Sequence, residues 1–282
     1  PSRPRATKII CTIGPATDTS DMLGQLIEAG ANVFRLNMSH SKHDWVREVV
    51  FRIRRKAAEL EANVAILFDL QGPSIRTGDL AEPYHLKKGD TVEIRLGTAK
   101  PELPFSTTVN YDGLLQDVQA GHTMVVDNGG ILMRIAEVRP DRLICDVLTE
   151  GVFGSRRHIN LPGVALRLPA LTEKDLADLA VAVECETDYV AMSFVRDAAH
   201  IAQLREHIDN LGGKAQIVAK IEDQQAVRHI DDIILAADVI MVARGDLGIE
   251  VSIEELPIIQ RRIVRHCHRL GRRCIVATHI LE

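Results

Sequence analysis

Two stretches of the chain run apolar and then stop at charge. Ile217-Val218-Ala219 leads into Lys220-Ile221-Glu222, and Val239-Ile240-Met241-Val242-Ala243 leads into Arg244-Gly245-Asp246-Leu247-Gly248. Short, continuously apolar runs predict strands buried on both faces in a parallel sheet. In α/β barrels the C-terminal ends of such strands carry the active site. A lysine and two carboxylates delivered there point to a divalent cation and an anionic substrate, hence to an enzyme.

The same alternation organises both ends of the sequence. Lys8 to Ile13 reads as a strand, Thr19 and Ser20 cap a helix that Gly30 ends, and Asn32 to Leu36 is a second strand. Asp44 to Ala62 is a longer amphipathic helix, and Val64 to Phe68 a third strand running into Asp69-Leu70-Gln71-Gly72-Pro73. This βαβαβ start implies a parallel sheet with right-handed crossovers. From Tyr84 to Ile159 the texture changes to short alternating segments (Thr91–Leu96, Thr123–Val126, Ile131–Val138, Arg142–Leu148) divided by Gly, Pro, Asn and Asp. That pattern predicts a small antiparallel β domain without a helix of any length. The βα rhythm resumes at Thr172-Glu173-Lys174-Asp175 with a helix over 176–184 and a strand over Tyr189–Ser193. A helix follows from about Ala198 to Leu211, then the two strands above, a helix over 254–270 and a strand at Cys274–Ala277.

The fold class expected is therefore α/β, a (β/α)8-type barrel of which strands one to seven are present, with an antiparallel β domain inserted after strand three. The expected boundaries are 1–75 for the first barrel part, 76–167 for the insert, acting as a lid, and 168–282 for the continuing barrel. Outside the insert there are roughly 190 residues against the ~250 usual for this barrel, so the closing strand is expected beyond Glu282.

Composition narrows the field further. A net charge of −5 gives no basic footprint for nucleic acid. No apolar run approaches the ~18 residues of a membrane span. The five cysteines have no CxxC pair and read as reduced, intracellular thiols.

Glu222 and Asp246 lie twenty-four residues apart, one βα unit, at the ends of adjacent strands. Two such carboxylates can hold a Mg²⁺ that keeps several waters and bridges to substrate oxygens. Lys220, two residues before Glu222, points to the same side of its strand. Arg35, Asn37 and Ser39 alternate and share one face.

Several strings in order resemble the pyruvate kinase family: Thr7-Lys8-Ile9-Ile10-Cys11-Thr12-Ile13-Gly14-Pro15, Phe34-Arg35-Leu36-Asn37-Met38-Ser39-His40 and Asp69-Leu70-Gln71-Gly72-Pro73-Ser74-Ile75-Arg76-Thr77-Gly78. Asn160-Leu161-Pro162-Gly163, Ser193-Phe194-Val195-Arg196, Lys220-Ile221-Glu222, Arg244-Gly245-Asp246-Leu247-Gly248 and Ala277-Thr278-His279-Ile280-Leu281-Glu282 continue the series. The resemblance implies a barrel with a β domain after strand three, and phosphoryl transfer from phosphoenolpyruvate to ADP, giving pyruvate and ATP in cytoplasmic glycolysis. It implies Mg²⁺ (or Mn²⁺) on Glu222 and Asp246, and a K⁺ site on Asn37, Ser39, Asp69 and the Leu70 carbonyl. Catalytic roles fall on Lys220 (the phosphoryl group in flight and the enolate), Arg35 (substrate phosphate) and Thr278 (enolate protonation through a water relay). Gly245 admits backbone N–H groups close to the substrate carboxylate. Arg76, His40 and Arg157 line the nucleotide side, and a full-length chain is expected to be a homo-oligomer.

The sequence departs from the family at named places. Position 74, usually Glu in K⁺-dependent members and Lys in K⁺-independent ones, is Ser74, while Leu70 resembles the K⁺-independent set. Asp-Asp-Gly appears as Asp127-Asn128-Gly129, and Lys-Gly as Arg157-His158. The K⁺ requirement stays open. Two further readings stand beside the kinase: a metal-dependent aldolase or lyase acting through a pyruvate enolate, and a catalytically incomplete binding protein.

Overall fold

A computed structural model describes residues 6–278. Pro1 and His279–Glu282, the end of the last motif string, lie outside the described residues. The chain opens with β1 (Ile10–Ile13), α1 (Ser20–Glu28), β2 (Val33–Asn37), α2 (His43–Glu59) and β3 (Ala65–Asp69). A β-rich section follows: β4 (Tyr84–Leu86), β5 (Thr91–Arg95), β6 (Ser106–Thr108), α3 (Leu114–Asp117), β7 (Thr123–Val126), β8 (Ile131–Val138), β9 (Arg142–Val147), β10 (Gly151–Phe153) and β11 (Ile159–Asn160). Alternation resumes with α4 (Glu173–Glu184), β12 (Tyr189–Met192), α5 (Ala198–Asn210), β13 (Gln216–Ile221), α6 (Gln224–Arg228) and α7 (Ile230–Ala236). It ends with β14 (Val239–Ala243), α8 (Arg244–Glu250), α9 (Leu256–Arg269) and β15 (Arg273–Ala277).

Seven strands form one parallel sheet in the order β1-β2-β3-β12-β13-β14-β15, so chain order and spatial order coincide across the insertion. This curled sheet is a partial (β/α) barrel. The period-two alternation of a strand sorts its side chains. Leu67, Ala191, Val218, Val239 and Met241 form a small cluster inside the curl. Ile66, Phe68, Ile217, Ala219, Ile240 and Val242 face the helices, where Leu204, Ile208, Ile233 and Ile263 complete the main core. Inward parity fixes the chemistry: two residues beyond Val33, Leu67 and Val218 stand Arg35, Asp69 and Lys220.

Local signals start the helices. Thr19 accepts the Met22 N–H at 3.3 Å, and Asp197 the His200 N–H at 3.1 Å. Thr172 and Asp175 make a reciprocal capping box.

The inserted section builds a sheet in the order β11-β7-β8-β9-β5-β6, with β4 and β10 paired separately. It has its own core, including Val92, Ile94, Met124, Met133 and Ile135. Its one departure from antiparallel pairing is β5 with β6, which run parallel. The helical turns α3, α6, α7 and α8 are too short to write a 3.6-residue period. The expected helix over 254–270 begins at Leu256, where a proline follows in the first turn. The first strand begins at Ile10 rather than Lys8, which is exposed.

Phe34 is fully buried in the main core. Phe34→Ala should cost about 3–5 kcal/mol of unfolding free energy, measured by denaturant titration at unchanged slope.

Candidate functional site

A cleft of about 470 Å³ opens where the inward-facing strand ends meet the insert. Its floor is a charge lattice. Lys220 Nζ, on a largely buried side chain, donates to Ser193 Oγ at 2.7 Å and lies 2.9 Å from Glu222 Oε1 and 3.2 Å from Asp69 Oδ1. Ser193 Oγ in turn donates a hydrogen bond to the Leu70 carbonyl at 2.7 Å. Asp69 Oδ2 takes Arg35 Nε at 2.7 Å, and Arg35 Nη1 reaches Thr12 Oγ1 at 2.9 Å on the neighbouring strand. Asp69 Oδ1 is buried and accepts no hydrogen bond, because Lys220 stands at ion-pair distance without hydrogen-bond geometry.

Burial works against the charge on Lys220, yet Glu222 and Asp69 outweigh it and hold the ammonium above its usual pKa. Glu222 is pushed up to about 7, chiefly by burial, with Asp246 adding repulsion and Lys220 opposing both. Its second oxygen accepts the Phe194 N–H at 2.6 Å. Phe194 itself is held at φ +54°, a left-handed conformation uncommon for a bulky residue.

Arg35, Asn37, Ser39, His40, Asp69, Leu70, Arg76, Arg157, Lys220, Glu222 and Asp246 all line the cleft. Asn37 ends β2, whereas Ser39 lies in the turn beyond it, its N–H held by Asn37 Oδ1 at 3.2 Å. Asp246 sits in the first turn of α8 rather than on a strand. Gly245 and Thr278 lie outside the cleft lining but beside each other. A Cβ at Gly245 would meet Thr278 Cγ2 at 3.4 Å.

The insert supplies the opposite wall. Arg76 and His158 bridge its two crossings, and Thr77 pairs with Val109 just after β6. Arg76 Nη1 donates to the Arg156 carbonyl at 3.1 Å, and Arg157 pairs with Asp127 at 3.2 Å. His158 packs edge-on to Phe194, with ring centroids 5.9 Å apart. Burial lowers its pKa, Arg76 adds to that, and Asp246 opposes it.

Sequence reasoning assigned no role to Ser193, Phe194 or Thr12. Ser193 and Phe194 were visible only as part of a motif string, because a serine's bridge to another strand leaves no local signal. Glu250 was missed too. It closes α8 and lines a neighbouring cavity together with Asn160 and Gly163 of the insert's return strap.

Among the described residues no three His, Cys, Asp or Glu side chains gather as a metal cage. Two carboxylates facing one cleft still suit a cation that draws its other ligands from substrate and water.

This scaffold and cleft define a barrel of the enzyme-bearing kind, and comparison with known proteins identifies which. The family description "Pyruvate kinase, barrel domain" matches residues 4–282. Plastidial pyruvate kinase 2 of Arabidopsis thaliana is 40% identical over 285 residues, covering 100% of this chain and 49% of that protein. Pyruvate kinase of Clostridium perfringens is 38% identical, covering 98% of this chain and 59% of its own. That of Staphylococcus aureus (strain MRSA252) is 36% identical, covering 99% and 48%. The chain belongs to the pyruvate kinase family, a family of transferases, and spans about half the length of the curated relatives it matches.

Glu250 yields a pH prediction. Burial, with the Asp223 charge behind it, pushes its pKa up to about 7. A folded pKa above the unfolded value makes stability fall as pH rises from about 4.5 through about 7. Thermal unfolding at pH 5 and pH 8 should show the wild type losing more than Glu250→Gln, at about 2–4 °C for each kcal/mol.

Proposed function

We propose that the chain carries the centre that transfers the phosphoryl group of phosphoenolpyruvate to ADP, giving pyruvate and ATP, in cytoplasmic glycolysis. The observation that carries this reading is the ammonium of Lys220, held between Asp69 and Glu222 on the cleft floor with Arg35 beside it. In this reading Arg35 presents a planar fork to the substrate phosphate. Lys220 offsets the charge of the phosphoryl group in transit and of the enolate left behind. Glu222 and Asp246 would hold a divalent cation. Bound there, it supplies charge neutralisation to enolate and phosphoryl oxygens.

The repulsion between these two carboxylates, which line one cleft, supports that assignment. Asp69 Oδ1, which accepts no hydrogen bond, lines the same cleft as Asn37, Ser39 and Leu70, and this supports a K⁺ position. Thr278, beside Gly245, would pass a proton through water, because its own hydroxyl is too weak an acid. Residues 76–167 serve as the lid between barrel parts 1–75 and 168–282. Arg76, His40 and Arg157 face the nucleotide, and lid closure excludes water from the transfer.

A pyruvate-coupled assay with phosphoenolpyruvate, ADP and Mg²⁺, run with and without K⁺, tests the proposal. Lys220→Met should lose at least about 100-fold in kcat while still binding oxalate. Full activity in that variant, or Mg²⁺-dependent cleavage of 2-keto acids without nucleotide, would overturn it.

A further inference from the structure

Helix α4 starts where the insert's return strap ends, and its first turn is tied to both loops of the cleft floor. Asp175 is fully buried and spends its carboxylate in two directions. Oδ2 accepts the Thr172 N–H at 2.8 Å and the Thr172 hydroxyl at 2.7 Å. Oδ1 accepts the Gly72 N–H at 3.0 Å. A capping box requires only the first set. Gly72 belongs to the loop that follows Asp69 and Leu70. Its φ is +72°, and a Cβ there would stand 2.8 Å from the Cβ of Ser193, the residue joining Leu70 to Lys220.

Lys174 reaches the other loop. Its Nζ donates to the Met38 carbonyl at 2.7 Å and to Asp178 Oδ2 at 2.6 Å, while Asp178 Oδ1 engages His43 Nε2 at 2.7 Å. Met38 stands between Asn37 and Ser39, and its own N–H returns to the Asp69 carbonyl at 2.9 Å. Helix capping explains neither the Lys174 bond nor the Gly72 bond. Together they brace the loop of Asn37 and Ser39 against the loop of Asp69 and Leu70.

We propose that Lys174 and Asp175 are positioning residues for the floor of the cleft, fixing its two loops to the helix that receives the lid's return strap. The substrate named in the test rests on the pyruvate kinase reading; the bracing does not. Displacements near 1 Å in a reacting site cost up to about 100-fold, so loosening either tie should be readable.

The test uses Lys174→Met, Lys174→Arg and Asp175→Asn, with Lys174→Gln as a milder change should Lys174→Met fail to fold. Hydrogen–deuterium exchange should quicken over residues 36–42 for Lys174→Met and over 69–76 for Asp175→Asn, with residues 176–184 still protected. KM for phosphoenolpyruvate should rise about tenfold with that for ADP within twofold, and Lys174→Arg should recover most of the loss. Unchanged exchange in both loops would overturn the proposal. So would uniform loosening with the two KM values moving together. If the wild type turns over no phosphoenolpyruvate, the kinase reading fails and the exchange experiment alone decides the bracing.

Discussion

The cleft depends on one buried ammonium. Removing Lys220 from water is costly, and that cost is offset only by close partners, two of opposite charge and one hydrogen-bonding hydroxyl. Asp69, Glu222 and Ser193 provide them from three different strand ends. The dependence runs both ways. Without Lys220, two buried carboxylates and Asp246 would share the cleft, and like charges so placed raise one another's pKa. The barrel makes the arrangement available cheaply, because parity along β2, β3 and β13 sends Arg35, Asp69 and Lys220 inward with the apolar residues beneath them. A one-residue slip in any of these strands would turn its charge into the helix layer.

The parts of this scheme written in short windows were legible in the sequence. β14 is buried at every position, so its run is apolar throughout. Lys220 and Glu222 fall on one side because strands have period two, and their side chains do meet at 2.9 Å. The insert announced itself by a change from helical to alternating texture. Resemblance, not periodicity, supplied the roles of Arg76, His40 and Arg157, which line the cleft.

The parts that depend on tertiary contact were not legible. Ser193 matters because its hydroxyl bridges a carbonyl on one strand end to an ammonium on another. No window of sequence contains both. Phe194 lends its N–H to Glu222 only through a left-handed backbone that its residue type disfavours. α8 is too brief for periodicity to reveal, so Gly245 and Asp246 read as a strand's tail. Thr172 to Asp175 could be recognised as a capping box, yet the second oxygen of Asp175 serves a glycine 103 residues away.

The placement of α8 joins these observations. Its first turn carries Asp246 into the cleft, and Glu250, four residues later, lines a second cavity with Asn160 and Gly163 of the return strap. Residues at this spacing share a helix face, so a single rigid turn sets both positions. At the strap's other end, the first turn of α4 is bonded to Met38 and Gly72. The strap is therefore flanked at both ends by elements that also shape the cleft. The Arg157 and His158 wall just ahead of it inherits its register from the barrel, and an insert hung this way need not carry its own alignment.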